Sequence, residues 1–341
     1  MKTNRAGFLP FALLSQRATH GQTLIGIMLK PTSLKELPRY PVTALLAGTA
    51  LGVTTLWWTG QNIDGCFMDG RVWSQWELWR AFTSIFPHVD IFHLAFNIYW
   101  LWVFGPIVER AFGHVRFAAM ALLLSVVPAF AEFSLFSGGV GLSGLGYGLW
   151  GLLWVLQHHD PRFADTVDAR TSRLFVGWFF FCILLTASKI MPIGNIAHGV
   201  GAIMGALIGW ATSTQRISRA ASIAGIALIS LLSLAGSTIG WPHINRTEFA
   251  QAEVERAGVE ALNDRENARA VKLLRLSVHM KAAPARAWYN LGVAYQRSGD
   301  LVRALTAYEH AARMPEADEQ IQKTAREMKK YISSRESNRK K

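Results

Sequence analysis

The stretch GLSGLGYGLWGLLW at residues 141–154 combines one serine, closely spaced glycines and a run of large apolar side chains. Serine is favoured at a helix N-terminus, where the first backbone N–H groups have no partner within the helix. Small residues spaced four apart let two helices approach closely inside a membrane. The stretch therefore predicts a buried membrane helix that begins at Ser143 and packs tightly against a neighbour.

Similar apolar runs recur along the chain of 341 residues, which is 51% hydrophobic and only 17% charged. Soluble domains carry about 25% charged residues, and a membrane-spanning helix needs about 20 mostly apolar ones. This composition argues against a disordered chain, a coiled coil and an ordinary cytosolic enzyme. Seven spans are predicted, at residues 41–58, 91–112, 117–136, 143–156, 174–187, 195–212 and 220–241.

Lysine and arginine are concentrated in the N-terminal arm and in alternate loops, as they are on the cytoplasmic side of membrane proteins. We expect a bacterial inner-membrane protein with a cytoplasmic N-terminus, and seven crossings then place residues 242–341 outside the cytoplasm. The net charge of +12 fits basic loops and a solvated C-terminal surface, so no nucleic-acid partner is expected. Cys66 and Cys182 lie far apart and predict neither a disulfide nor a zinc site.

The predicted fold class is all-α, a polytopic membrane helical bundle followed by a small soluble helical domain. Its predicted parts are a cytoplasmic arm at residues 1–40, a six-helix core at 41–213, a seventh transmembrane helix at 220–241, a helical domain at 242–334 and a basic disordered tail at 335–341.

The predicted helical domain resembles the tetratricopeptide repeat, in which small residues let the two helices of a hairpin approach closely. The matching positions are Trp288, Gly292, Tyr295, Ala304 and Tyr308, with a fainter copy 34 residues upstream at Gly258 and Ala270. We count about one and a half repeats and a capping helix at 318–332, fewer than the three usually needed for independent stability. The domain is therefore expected to rest on a partner or on the membrane unit, and to bind a protein or peptide.

Polar side chains are costly inside a membrane and indicate function by default. Ser143, His198, His93 and Asn97 all fall near the outward end of their predicted helices, and His93 and Asn97 share one helical face. A serine hydroxyl becomes a nucleophile when a base accepts its proton, and His198 is the predicted base, with His93 as the competitor. A helix N-terminus stabilises an anion beside Ser143, and His93 and Asn97 supply further donors to an oxyanion.

Glycines are expected to bring the serine and the histidine together. Gly144 and Gly148 are predicted to face a second strip of small residues at Gly201, Gly205 and Gly209. No acidic residue lies near His198 in the sequence, so the pair is expected to act as a dyad. The chain lacks the His-Glu-x-x-His pattern of zinc proteases, and neither a metal nor a cofactor is expected.

Over about residues 40–213 the chain resembles the rhomboid family of intramembrane serine proteases. The matching elements are Trp79-Arg80, His93-x3-Asn97, Glu109 followed by Gly113, Gly141-x-Ser143-Gly144, and Ala197-His198-x2-Gly201-x3-Gly205. This resemblance implies that Ser143 is the nucleophile and His198 the general base, and that the Ser143 backbone, His93 and Asn97 form the oxyanion hole. It also implies that Tyr147 packs against the base, that Arg80 and Glu109 are structural anchors, and that the substrates are transmembrane proteins within the lipid bilayer.

Each of these residues also has a simpler interpretation. Ser143 alone is a common helix N-cap, His198 alone a packed core histidine, and His93 with Asn97 a polar contact between helices. Glu132 is expected to reach toward the outer surface or to form a pair. Two other functions stay open: an inactive membrane adaptor that binds transmembrane helices and recruits partners through its tail, and a proton-coupled transporter, although neither inverted repeats nor broken helices are visible.

Overall fold

The computed structural model describes residues 33–213, 216–281 and 283–339. These residues form helices and no strand, so the predicted all-α class is confirmed. The first 32 residues of the predicted N-terminal arm and the last two residues of the predicted tail lie outside the described part of the chain.

Fifteen α-helices follow one another along the described chain. They are α1 (Pro41–Trp58), α2 (Arg71–Ser74), α3 (Arg80–Thr83), α4 (Ile91–Phe112), α5 (His114–Leu135), α6 (Ser143–His159), α7 (Ala169–Ala187), α8 (Asn195–Thr212), α9 (Arg216–Ser237), α10 (Trp241–Ile244), α11 (Glu248–Asn263), α12 (Asn267–Val278), α13 (Ala285–Arg297), α14 (Leu301–Ala312) and α15 (Glu319–Arg339). Short 3₁₀ turns lie at Leu34–Arg39, Asp64–Cys66 and Pro161–Phe163.

Each of the seven predicted spans contains a long helix, but only five helices in the described residues are long and apolar enough to cross a membrane, namely α1, α4, α5, α7 and α9. The other two are α6 and α8, of 17 and 18 residues, which are rich in glycine and pack against each other. Most of α6 is buried in the protein, whereas only about a fifth of α7 or α9 is buried. A helix shielded by its neighbours, as α6 is, needs less hydrophobicity than one that faces lipid.

The core of the bundle lies around α4 and α6, where Phe104, Leu149 and Leu152 are fully buried. Glu109 of α4 ties α1 to this core. Its carboxylate accepts the backbone N–H groups of Val42 and Thr43 at 2.9 and 3.0 Å, and the Thr43 hydroxyl at 2.7 Å. The N–H groups that α1 cannot satisfy itself are thus satisfied by a neighbouring helix.

Arg80 holds together the segment between α1 and α4, residues 59–90, which we call the first loop. The side chain is 3% exposed, and its guanidinium donates to the carbonyl oxygens of Asp64 and Phe67 at 2.7 and 2.8 Å. It also pairs with Glu77. The neighbouring Trp79 is 55% exposed, so of the Trp79-Arg80 dipeptide only the arginine anchors the loop.

The C-terminal residues form two helical hairpins, α11–α12 and α13–α14, followed by α15. A side chain at Gly258 would collide with Leu274, and one at Gly292 would collide with Tyr308, so the same close approach recurs 34 residues later. The assignment of these hairpins to the tetratricopeptide family stays a prediction. Helix α15 continues to Arg339, so residues 335–339 are helical where we expected a disordered tail.

The helical domain rests on the membrane unit, at the end of the bundle that carries Ser143. Trp241 of α10 stacks between Trp73 of the first loop and Phe133 of α5, with ring centroids 5.7 and 4.9 Å apart. Its indole N–H donates to the Phe133 carbonyl oxygen at 2.8 Å. Asn245 Nδ2 donates to the Phe136 carbonyl oxygen at 2.7 Å, so the segment after α9 satisfies two carbonyl groups near the end of α5.

Candidate active site

Ser143 and His198 meet at the start of α6 and in the first turn of α8. The Ser143 hydroxyl oxygen lies 2.8 Å from His198 Nε2, within hydrogen-bond distance. His198 is 4% exposed, and its Nδ1 has no hydrogen-bond partner in the described part of the chain. With the proton on Nδ1, Nε2 is free to accept the proton of the serine hydroxyl.

The two helices come this close because glycines remove side chains from their contact. A methyl group at Gly201 would overlap the carbonyl oxygen of Gly144, and one at Gly205 would overlap that of Gly148. The predicted third position, Gly209, meets the side chain of Val155 rather than a glycine. The contact is therefore backbone against backbone near Ser143, and backbone against side chain farther along α8.

His93 and Asn97 of α4 converge on the turn that precedes Ser143. A Cβ atom at Gly141 would lie 2.8 Å from His93 Nε2 and 3.3 Å from Asn97 Nδ2. Gly141 has a φ of +103°, a conformation that side chains disfavour, so two independent constraints require glycine there. Asn97 is 4% exposed, and its Nδ2 has no partner among the described residues. A buried amide donor therefore lies beside the turn that leads to the serine, where it is available to bind an oxyanion.

Tyr147 lies one turn after Ser143 and forms a wall of the site. Its ring stacks on His198 with centroids 4.7 Å apart and planes inclined by 23°. Its hydroxyl donates to the Phe175 carbonyl oxygen at 3.0 Å, which connects α6 to α7. The tyrosine thus restricts the imidazole to one plane.

The remaining predicted residues are not part of this cluster. Arg80 lies in the first loop and holds the backbone there. Glu109 of α4 holds the backbone at the start of α1, and Trp79 is exposed. Gly113 ends α4 with a φ of +81°. In the described ranges, no group of three or more histidine, cysteine, aspartate or glutamate side chains is arranged to hold a metal ion.

His88 is a buried residue beside the site; the sequence predicts a loop residue near the cleft but not the role that it plays there. Its Nδ1 lies 2.9 Å from the Phe86 carbonyl oxygen, which can only accept, so Nδ1 carries the proton and Nε2 accepts the Leu142 N–H at 3.3 Å. Its ring also contacts that of His93, with centroids 4.9 Å apart. Burial and the neighbouring His93 lower the pKa of His88 to about 4, which keeps the imidazole neutral. A histidine in a loop gives no sequence signal for such a role.

Comparisons with known proteins cover the part of the chain that holds this cluster. The family model of the rhomboid domain matches residues 75–215, which include every residue of the cluster. Curated relatives include the rhomboid protease GlpG of Salmonella paratyphi A, 30% identical over 149 residues, and those of Salmonella newport and Salmonella typhi, each 33% identical over 149 residues. Each alignment covers 39% of this chain and 51% of the relative, so the chain spans about half the length of the curated relatives it matches.

The helical domain lies outside the matched region, and the apolar helices make the chain an integral, multi-pass membrane protein. Residues 75–215 thus match the family model of the rhomboid domain, and this part of the chain is similar to the rhomboid proteases.

Proposed function

We propose that the chain is an intramembrane serine endopeptidase that cleaves transmembrane segments of other membrane proteins through a Ser143–His198 dyad. The observation that carries this proposal is the 2.8 Å contact between Ser143 Oγ and His198 Nε2 inside a rhomboid domain. A half-buried serine in contact with a buried histidine, near an amide donor (Asn97 Nδ2) that has no partner among the described residues, is an arrangement suited to acyl transfer.

In the proposed reaction, Ser143 Oγ attacks the carbonyl carbon of the substrate peptide while His198 Nε2 takes the hydroxyl proton. The backbone N–H of Ser143, Asn97 Nδ2 and His93 donate to the oxyanion of the tetrahedral intermediate. His198 then gives the proton to the leaving amine, which leaves an acyl-enzyme on Ser143. A water molecule activated by His198 hydrolyses this ester and restores the hydroxyl.

The proposed substrates are transmembrane helices that unwind easily near the extracytoplasmic surface of the membrane. A helical peptide bond hides its carbonyl in a hydrogen bond, so small or helix-destabilising residues are expected around the cleaved bond. The cytoplasmic N-terminus, the extracytoplasmic helical domain and the inner-membrane location stay part of the proposal.

The test is labelling with a fluorophosphonate probe and cleavage of a model transmembrane substrate in detergent. The wild type should label, Ser143→Ala should not, and Ser143→Ala or His198→Ala should lose at least about 10³-fold in kcat. Ser230→Ala is the matched control, because its hydroxyl donates only to the Ile226 carbonyl within α9. A folded wild type that neither labels nor cleaves would favour the inactive adaptor instead.

A further inference from the structure

Glu132 is a buried carboxylate near the end of α5 that the proposed mechanism does not use. It is 4% exposed, and its Oε2 accepts the backbone N–H groups of Ile196 and Ala197 at 2.9 and 3.1 Å. Both N–H groups belong to the first turn of α8, 64 and 65 residues along the chain. The expected outward-reaching or paired glutamate is thus bonded to the backbone of another helix.

Helix α8 has no capping side chain of its own. Its N-cap residue is Gly194, which has no side chain to accept the first N–H groups of the helix. Such groups are costly when they are buried without a partner. The carboxylate of Glu132 therefore takes the place that a serine or aspartate usually occupies at the N-cap.

The capped N–H groups lie directly before His198, because Ala197 is its neighbour in the chain. The orientation of the first turn of α8 determines where the imidazole points, and no carboxylate holds its Nδ1, which has no partner within the described ranges. The same turn also contacts α6, since the Ala197 carbonyl oxygen would lie 3.6 Å from a Cβ at Gly144. A small rotation of this turn would move Nε2 away from Ser143.

We propose that Glu132 is a positioning residue, which holds the first turn of α8 so that His198 faces Ser143. The effect of Glu132 on turnover rests on the proposed protease function, whereas its effect on the α8 backbone does not. Charge-assisted hydrogen bonds from backbone N–H groups are stronger than neutral ones, so a carboxylate suits this task.

The test compares Glu132→Gln, Glu132→Ala and Glu132→Asp in the full-length protein in detergent. Glutamine keeps an oxygen at the same place and should retain kcat within about threefold. Alanine has no acceptor and aspartate is one methylene shorter, so both should lose about 10- to 100-fold in kcat with KM little changed, as expected for a misplaced reacting group. Ser134→Ala is the control, because its hydroxyl bonds at the same end of α5 but not to α8.

Hydrogen–deuterium exchange of the α8 N-terminus gives a second readout that needs no activity. The amides of Ile196 and Ala197 should exchange faster in the alanine and aspartate variants, and at the wild-type rate in the glutamine and Ser134→Ala proteins. Wild-type exchange in Glu132→Ala would overturn the proposal, as would glutamine and alanine variants that fall equally in kcat. A wild type that does not label at Ser143 would instead contradict the proposed protease function. Hydrogen–deuterium exchange alone would then decide the role of Glu132.

Discussion

The imidazole of His88 is a contact between the first loop and the turn that leads to Ser143. It accepts the Leu142 N–H and donates to the Phe86 carbonyl oxygen, so it satisfies backbone groups on both segments. The N–H of Gly141, which precedes Leu142 in the chain, donates to the Ser84 carbonyl oxygen at 3.3 Å. Residues 84–88 therefore fix the position of the turn before α6 by two hydrogen bonds.

Replacing His88 by phenylalanine should lower stability, because the buried Leu142 N–H loses its acceptor at a cost of about 1–3 kcal/mol. The pKa of His88 is lowered by burial from 6.5 to about 4, so the unfolded chain binds more protons between these pH values. The stabilisation by His88 is therefore complete above pH 6.5 and declines as the pH falls toward 4. Thermal unfolding from pH 7.5 to 4.5 should show the gap between wild type and His88→Phe narrowing in acid.

The exposed neighbour Val89 provides the control for this measurement, since Val89→Ala should leave the unfolding temperature unchanged at every pH. A gap between wild type and His88→Phe that does not vary with pH would contradict a neutral buried imidazole. Besides burial, the titratable groups that act on the pKa of His88 are His93, which lowers it, and Asp90, which raises it.

The sequence was informative about some of these residues and silent about others. Ser143, His198 and Asn97 are conspicuous because polar side chains stand out in apolar helices at similar depth. His88 lies in a loop, and its ring bonds the backbone of Phe86 and Leu142 and lies 3.4 Å from the Thr54 hydroxyl, contacts that only the folded chain creates. Glu132 was conspicuous as a charge, but its partner is the backbone of α8, which only the folded chain brings near.

The contact between α6 and α8 depends on the absence of side chains at a few positions. Gly205 meets the Gly148 carbonyl oxygen and the Leu152 N atom, and neither backbone atom can move without shifting a whole helix. Gly146 lies on α6, the helix that Gly205 of α8 contacts, and it has nothing within 4 Å of the place where its Cβ would lie. These two positions separate the effect of helix spacing from that of glycine itself.

Gly205→Ala should therefore destabilise the bundle by about 1–3 kcal/mol, the usual cost of overpacking. It should also reduce fluorophosphonate labelling of Ser143 by about 10- to 100-fold, because a larger distance between α6 and α8 separates the Ser143 hydroxyl from His198. Gly146→Ala should label normally and match or exceed the wild-type stability, since alanine is the better helix former. Equal labelling by the two variants would show that helix spacing does not control the pair.

Helix boundaries were predictable where the sequence changes character abruptly. The helices Pro41–Trp58, Ile91–Phe112 and Asn195–Thr212 begin and end at the predicted residues, next to proline, glycine or polar groups. The seventh span was predicted to reach residue 241, yet α9 ends at Ser237. Trp241 instead starts α10 and packs between Trp73 and Phe133, a tertiary contact that hydropathy does not reveal.

The helical domain, the first loop and the turn before Ser143 form one connected set of contacts. Glu253 of α11 accepts the Gly70 N–H of the first loop at 2.7 Å, and Gly70 is too close to this side chain to carry a Cβ. The first loop in turn contacts the turn before Ser143 through residues 84–88. We expected the small domain to rest on a partner or the membrane unit, and it rests on this loop.

Two glutamates of α11 offer a matched test of that connection. Glu253 and Glu260 both pair with Arg256, but only Glu253 also bonds the first loop. In the full-length protein, Glu253→Ala should leave the Gly70 N–H without its acceptor, at a cost of about 1 kcal/mol. Hydrogen exchange of residues 64–74 should then speed up about fivefold, while Glu260→Ala keeps the wild-type rate. Faster exchange in both variants would trace the effect to Arg256 and the helix itself, and unchanged exchange in both would mean that the domain does not hold the loop.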